Sequence, residues 1–161
     1  PAFASDLLHV GSHEYGMLLS ANGVGALLGA LTAATYGDRL PRRLSVFGGL
    51  GLFSLMLLFL AVTRNYYLAL IFLAIAGWGM LLYFSTTNTV IQLSVSDGMR
   101  GRVMGIWALV FGGMMPVGGI EAGGLSHWLG VPWAVAIGAL VCGSAALVTW
   151  LLVRRNPPAP A

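Results

Sequence analysis

Gly37-Asp38-Arg39-Leu40-Pro41-Arg42-Arg43 is a short charged island that holds three of the chain's eight basic side chains. On either side of it lies an apolar run of roughly 20 residues, the length that crosses a bilayer's hydrocarbon core at about 1.5 Å of rise per helical residue. Arginine is costly at the bilayer centre, so the island must stand outside the hydrocarbon. Short Arg-rich loops favour the cytoplasmic side. The island therefore predicts both that the chain spans a membrane and which way round it lies.

Composition agrees. The 161 residues are 58% hydrophobic and 8% charged, and the mean hydropathy is +0.86. Soluble domains carry about 25% charged residues, so this chain could not cover a water-facing surface. All eight basic residues are arginine and the net charge is +3, too sparse for a nucleic-acid footprint. The single Cys142 lies in an apolar run and offers neither a disulfide nor a cysteine metal framework. The first residues have no basic stretch ahead of an apolar core and do not read as a secretion signal.

Outward from the island, hydropathy predicts five spans, at about 15–36, 44–63, 67–93, 103–125 and 132–153. Breaks are expected near 37–43, 64–67, 94–102 and 126–131. Residues 1–14 read as an extracytoplasmic loop and 154–161 as a disordered cytoplasmic tail. The runs are too long for membrane strands and lack two-residue alternation. The expected fold class is all-α: an integral membrane bundle of five transmembrane helices. Alternating the spans with the first island inside puts Arg39, Arg42, Arg43, Arg100, Arg102, Arg154 and Arg155 on one side and only Arg64 on the other. That distribution obeys the positive-inside rule, and it predicts the N-terminal end outside and the C-terminal end in the cytoplasm.

Several residues stand out within this frame. Gly25 and Gly29, continued by Ala26, Ala30 and Ala34, form a small-residue stripe suited to close helix contact. Asp38 among Arg39, Arg42 and Arg43, and Asp97 with Arg100 and Arg102 in the second charged loop, are candidates for a gating latch, since a carboxylate is electrostatically favourable at a helix N-terminus. Glu121 is the one carboxylate inside an apolar run, and ionisable groups there often mark a proton or substrate path. Ser85, Asn88 and Gln92 share one helix face and could line a cavity or bond another helix; Asn22 has the same two uses. Trp78 and Tyr83 could stack a flat substrate or pack in the bundle. Pro116 predicts a kink or local unwinding of the fourth span, because proline deletes a backbone hydrogen bond. His9, His13 and Glu14 lack a specified third partner, so no metal and no cofactor are expected.

The whole chain resembles the C-terminal part of a major facilitator superfamily transporter, nearest to the drug and siderophore exporters, including enterobactin-exporter-like proteins. Asp38-Arg39-Leu40-Pro41-Arg42-Arg43 is similar to the family's loop signature Asp-Arg-x-Gly-Arg-Arg/Lys, with Pro41 in place of the glycine and Ala34 where a leading glycine would stand. Gln92 through Val103 resembles the loop before helix 11, and Met115-Pro116-Val117-Gly118-Gly119 with Gly123-Gly124 resembles helix 11, one residue short of the antiporter spacing. The resemblance implies helices 8 to 12 of a twelve-helix fold, with residues 1–14 leaving helix 7.

It also implies proton-coupled export of small amphipathic molecules by alternating access, in the bacterial inner membrane. The implied partners are the bilayer, a small-molecule substrate and the seven helices that precede these. Two other readings remain at this stage: a non-transporting membrane scaffold or inactive truncation, and, remotely, an intramembrane enzyme. Neither a Gly-x-Ser-x-Gly elbow nor a phosphate-binding Gly-x-x-x-x-Gly-Lys-[Ser/Thr] loop occurs, so neither hydrolase chemistry nor nucleotide hydrolysis is expected.

Overall fold

The computed structural model describes residues 12–37 and 39–155. Five helices long and apolar enough to cross a membrane fill nearly all of it, and no strand occurs among the described residues. The chain is a multi-pass, all-α membrane protein. We label the helices α1 (Ser12–Tyr36), α2 (Gly49–Val62), α3 (Tyr66–Leu93), α4 (Asp97–Leu129) and α5 (Val131–Arg155); a π-helical segment, Leu44–Gly48, leads directly into α2.

The helices outrun the spans read from hydropathy. α1 begins at Ser12 and α5 runs through Arg155, so residues 12–14 and 154–155 are helical; residues 1–11 and 156–161 lie outside the described chain. α4 takes in residues 97–102 and 126–129, which had been read as loops. Hydropathy reports only the length that sits in hydrocarbon, whereas Asp97 in the first turn suits the positive end of a helix and lets the helix start well before the apolar run. Pro116 does not unwind α4, which is helical without interruption from Asp97 to Leu129. A proline removes only its own N–H and crowds only the carbonyl four residues back. Here that carbonyl belongs to Gly112, in a glycine-rich stretch that yields easily.

The turns follow from their residues. After α1, the N–H groups of Arg39 and Leu40 both donate to the Tyr36 carbonyl at 2.9 Å. Pro41 then accepts the first-turn bond from Ser45 at 3.1 Å, a proline in the early position its fixed φ favours. Asn65 caps α3, its Oδ1 accepting from the N–H groups of Tyr67 (2.9 Å) and Leu68 (3.3 Å), the usual service of an asparagine cap. α4 ends at Gly130, whose φ of 84° is a backbone state natural only to glycine.

α3 is the central helix, packed on α1 along one side and α2 along the other; α5 closes on α2, and α4 touches α5 lightly. Large apolar side chains such as Leu27, Leu31, Leu109, Ile120 and Leu151 point outward, as they should where the solvent is lipid. The α1–α3 seam is made by glycines. A Cβ on Gly25 would run into the Ala74 carbonyl, one on Gly77 into the Asn22 carbonyl, and one on Gly29 would lie 2.6 Å from the Trp78 carbonyl oxygen. On the α2–α3 seam Gly49 and Gly79 face each other as closely, with a Cβ on Gly49 2.7 Å from the Gly79 carbonyl oxygen. α5 meets α2 through Ala139, Gly143 and Ala146, with buried Ser54 opposite Gly143. At the end away from the island, Leu18, Leu60 and Ala69 form a small buried cluster.

These seams make a direct prediction. Gly77→Ala forces backbone atoms apart and should destabilise the bundle by about 1–3 kcal/mol. Gly51→Ala, at a position with nothing within 4 Å of the added carbon, should be neutral or stabilise by up to about 1 kcal/mol. Denaturant unfolding in mild detergent measures both; equal effects would contradict the seam.

Candidate functional site

A cavity of about 270 Å³ opens between α1, α3 and α4, lined by Asn22, Ala26, Gly77, Met80, Leu81, Phe84 and Phe111. The 77, 80, 81 and 84 spacing is one face of α3. Asn22 is its polar group. The side-chain Nδ2 donates to the Leu73 carbonyl at 3.3 Å, which fixes the amide, and Gly77 leaves room for it: a Cβ there would approach Nδ2 to 3.1 Å. The amide oxygen has no protein partner among the described residues, leaving one acceptor in an apolar chamber.

The far wall is aromatic. The Phe84 ring centroid lies 4.7 Å from that of Phe111 at 58° and 5.9 Å from that of Trp107 at 36°, and Trp107 and Phe111 are 6.0 Å apart. Such tilted spacings are favourable for aromatic quadrupoles. The three rings are also what brings α4 to α3, so the cavity wall and the helix contact are the same cluster.

The residues singled out in the sequence scatter over several places. Asn22 lies in this cavity. Trp78 faces away from it, its Nε1 donating to Thr32 Oγ1 at 3.1 Å across the α1–α3 seam. Tyr83 sits on the α2–α3 seam against Gly49, where its Cβ would be 3.2 Å from a Cβ on that glycine. Asn88 and Gln92 bond one another, Gln92 Nε2 donating to Asn88 Oδ1, which leaves the Asn88 amide N–H groups and the Gln92 amide oxygen for another partner. Ser85 lines a separate polar pocket of about 180 Å³ with Thr86, Thr89 and Arg42. Glu121 is exposed on α4, a helix with no buried residue.

In the loops, Arg100 Nη2 pairs with Asp97 Oδ1 at 2.7 Å, exposed on both sides, and its Nε donates to the Gln92 carbonyl at 3.3 Å. That joins the end of α3 to the start of α4. Arg39, Arg42, Arg43 and Arg102 are exposed. Asp38 lies outside the described residues, and with it the centre of the proposed latch. No group of three or more metal-ligating side chains occurs among the described residues. Phe84, Trp107 and Phe111 were missed in the sequence; the signal available was the i, i+4 ring pair on the fourth span.

The family model of the Major Facilitator Superfamily matches residues 1–161. The chain belongs to the major facilitator superfamily. It is also similar to the Uncharacterized MFS-type transporter YwfA of Bacillus subtilis (strain 168), 31% identical over 138 residues that cover 82% of this chain and 32% of that protein. The chain thus spans about a third of that relative's length. No solved structure matches it. The superfamily is one of transporters, and a membrane protein of that kind agrees with the apolar exterior.

The ring cluster yields a prediction. Phe84→Ala removes the α3 partner of both α4 rings and should loosen α4, raising hydrogen exchange in residues 105–113 while α1 exchanges as before. Aromatic pairs contribute about 0.5–1.5 kcal/mol each beyond area burial, so an increase of several-fold is expected. Unchanged exchange in α4 would show that the cluster does not hold it.

Proposed function

We propose that this chain forms part of a secondary active transporter that exports small amphipathic molecules by proton antiport through alternating access. The observation that carries the reading is the cavity of α1, α3 and α4: an aromatic wall, a single anchored amide at Asn22, and a flank on α4 that no described residue covers. Binding sites of transporters lie between helix bundles that rock about them. The unburied face of α4 supports a second bundle on that side, as does the short share of the relative's length that this chain spans.

Asn22 contributes a directional hydrogen-bond acceptor, and Phe84 and Phe111 contribute an apolar, aromatic surface. A cavity so lined favours a substrate with a ring system and few charges, the drug-like rather than the acidic end of the exporter branch. Glu121, exposed on α4, supplies the protonatable group. Asp38, with Arg39, Arg42 and Arg43, latches the cytoplasmic side. The arginine distribution supports an N-terminal end outside and a C-terminal end inside, in the bacterial plasma membrane.

Proteoliposomes of the natural-length protein test this with an imposed proton gradient and a panel of aromatic amphipathic dyes. Saturable, gradient-driven dye movement is expected. Phe111→Ala should weaken dye affinity about three- to tenfold, the equivalent of about one aromatic contact. Glu121→Gln should abolish gradient dependence while dye binding persists, and Asp38→Asn should slow turnover with unchanged affinity. A protein that binds none of the dyes and moves no protons would favour the scaffold reading instead.

A further inference from the structure

On the opposite face of α3 from the cavity, a groove of about 520 Å³ lies between the end of α1, the π-helical segment and α3. Its walls include Tyr36, Leu40, Leu44, Gly48, Leu52 and Trp78. The polar atoms on its α1–α3 side are already used: Trp78 Nε1 donates to Thr32 Oγ1, and that hydroxyl donates to the Leu28 carbonyl at 2.7 Å. Apart from the hydroxyls of Tyr36 and Ser45, what remains is apolar. Its floor is open at Gly48, where an added Cβ would meet only the tip of Leu44, at 3.5 Å. Leu44, Gly48 and Leu52 are four residues apart and share the groove side, and the π-turn Leu44–Gly48 forms this wall; such turns recur at functional sites.

The groove has a direction. From Leu52 and Trp78 it runs toward Leu40 and Leu44, which alternate with exposed Arg39 and Arg43. The helical wall of the groove, residues 42–52, covers about 15 Å at the rise of an α-helix, against about 15 Å for the hydrocarbon of one leaflet. Three arginines against the single Asp38 leave the loop net positive whatever pairs are made. Arg42 adds donors on the adjoining side, where it faces the Ser85, Thr86 and Thr89 pocket. An apolar channel one leaflet deep, ending in fixed positive charge at the membrane surface, matches a molecule with an acyl chain and an anionic head.

We infer that this groove binds one anionic phospholipid, an acyl chain lying along Leu44, Gly48 and Leu52 and the phosphate held by Arg39 and Arg43. Juxtamembrane arginines attract anionic lipids, and here the groove turns that general attraction into one site. A bound chain would pack the seam between α1 and the π-segment, which the protein leaves open. The site stands on the face away from the transport cavity and does not rest on the transport reading.

The test uses the natural-length protein in phosphatidylcholine nanodiscs doped with phosphatidylglycerol that carries a photoactivatable group at the end of one acyl chain. Cross-links mapped by mass spectrometry are expected on residues 44–52 and at Trp78, about tenfold above those from phosphatidylcholine labelled in the same way. R39Q/R43Q should reduce phosphatidylglycerol labelling to the phosphatidylcholine level, and R39K/R43K should restore most of it. Gly48→Leu fills the floor and should abolish labelling there; Leu52→Trp serves the same end if Gly48→Leu lowers the Tm. Equal labelling by both lipids, labelling unchanged by either groove filler, or full competition by inorganic phosphate would each overturn the site.

Discussion

Everything in this bundle depends on how closely α1 can approach α3. In lipid there is no hydrophobic gain from bringing two apolar helices together, so association rests on van der Waals contact and the few hydrogen bonds that close contact permits. Gly25, Gly29 and Gly77 remove the side chains that would hold the two backbones apart. Only at that separation can Asn22 reach the Leu73 carbonyl, and Trp78 reach Thr32. The same approach sets the position of the 77–84 face of α3, and so the shape of the cavity. A larger residue at any of the three would cost the seam first and the site with it.

Much of this was legible in the sequence, and the part that was not has one cause. Hydropathy and arginine placement report position along the membrane normal, which is why five spans could be read. The stripe of Gly25 and Gly29 announced close packing, and it lies on the α1–α3 seam. Rotation about each helix axis was the hidden variable. Trp78 and Tyr83 are five residues apart on a helix packed on two sides, and they go to different seams, neither of them the cavity. Asn88 and Gln92, one turn apart, reach each other before they reach anything else. A polar residue on a central helix has several possible partners, and its sequence neighbours do not say which one is nearest.

Loop assignments erred for a related reason. Charged residues were read as non-helical because they lie outside hydrocarbon, yet leaving the bilayer does not end a helix. Asp97 and Arg100 form an i, i+3 pair within the first turn of α4, a pairing that exposed helices support. The helix is therefore longer than its membrane span, and Arg100 is in place to tie it to the end of α3 through the Gln92 carbonyl.

α4 is the element that this chain fixes least. It has no buried residue, its glycines at 112, 113, 118, 119, 123 and 124 have nothing within 4 Å of where a Cβ would be, and it is held by three rings, the Gln92 tie and a light contact with α5. The other glycines that matter here, on α1, α2 and α3, are spent on backbone contact; those of α4 are not. A helix rich in small residues yet without close neighbours presents a surface on which another backbone could lie. Phe111 belongs both to that helix and to the cavity wall, so whatever moves α4 also reshapes the cavity. In the transport reading proposed above, this is the useful arrangement: the amide anchor sits on the rigid α1–α3 seam, while Phe111 of the aromatic wall sits on the helix free to follow a partner bundle.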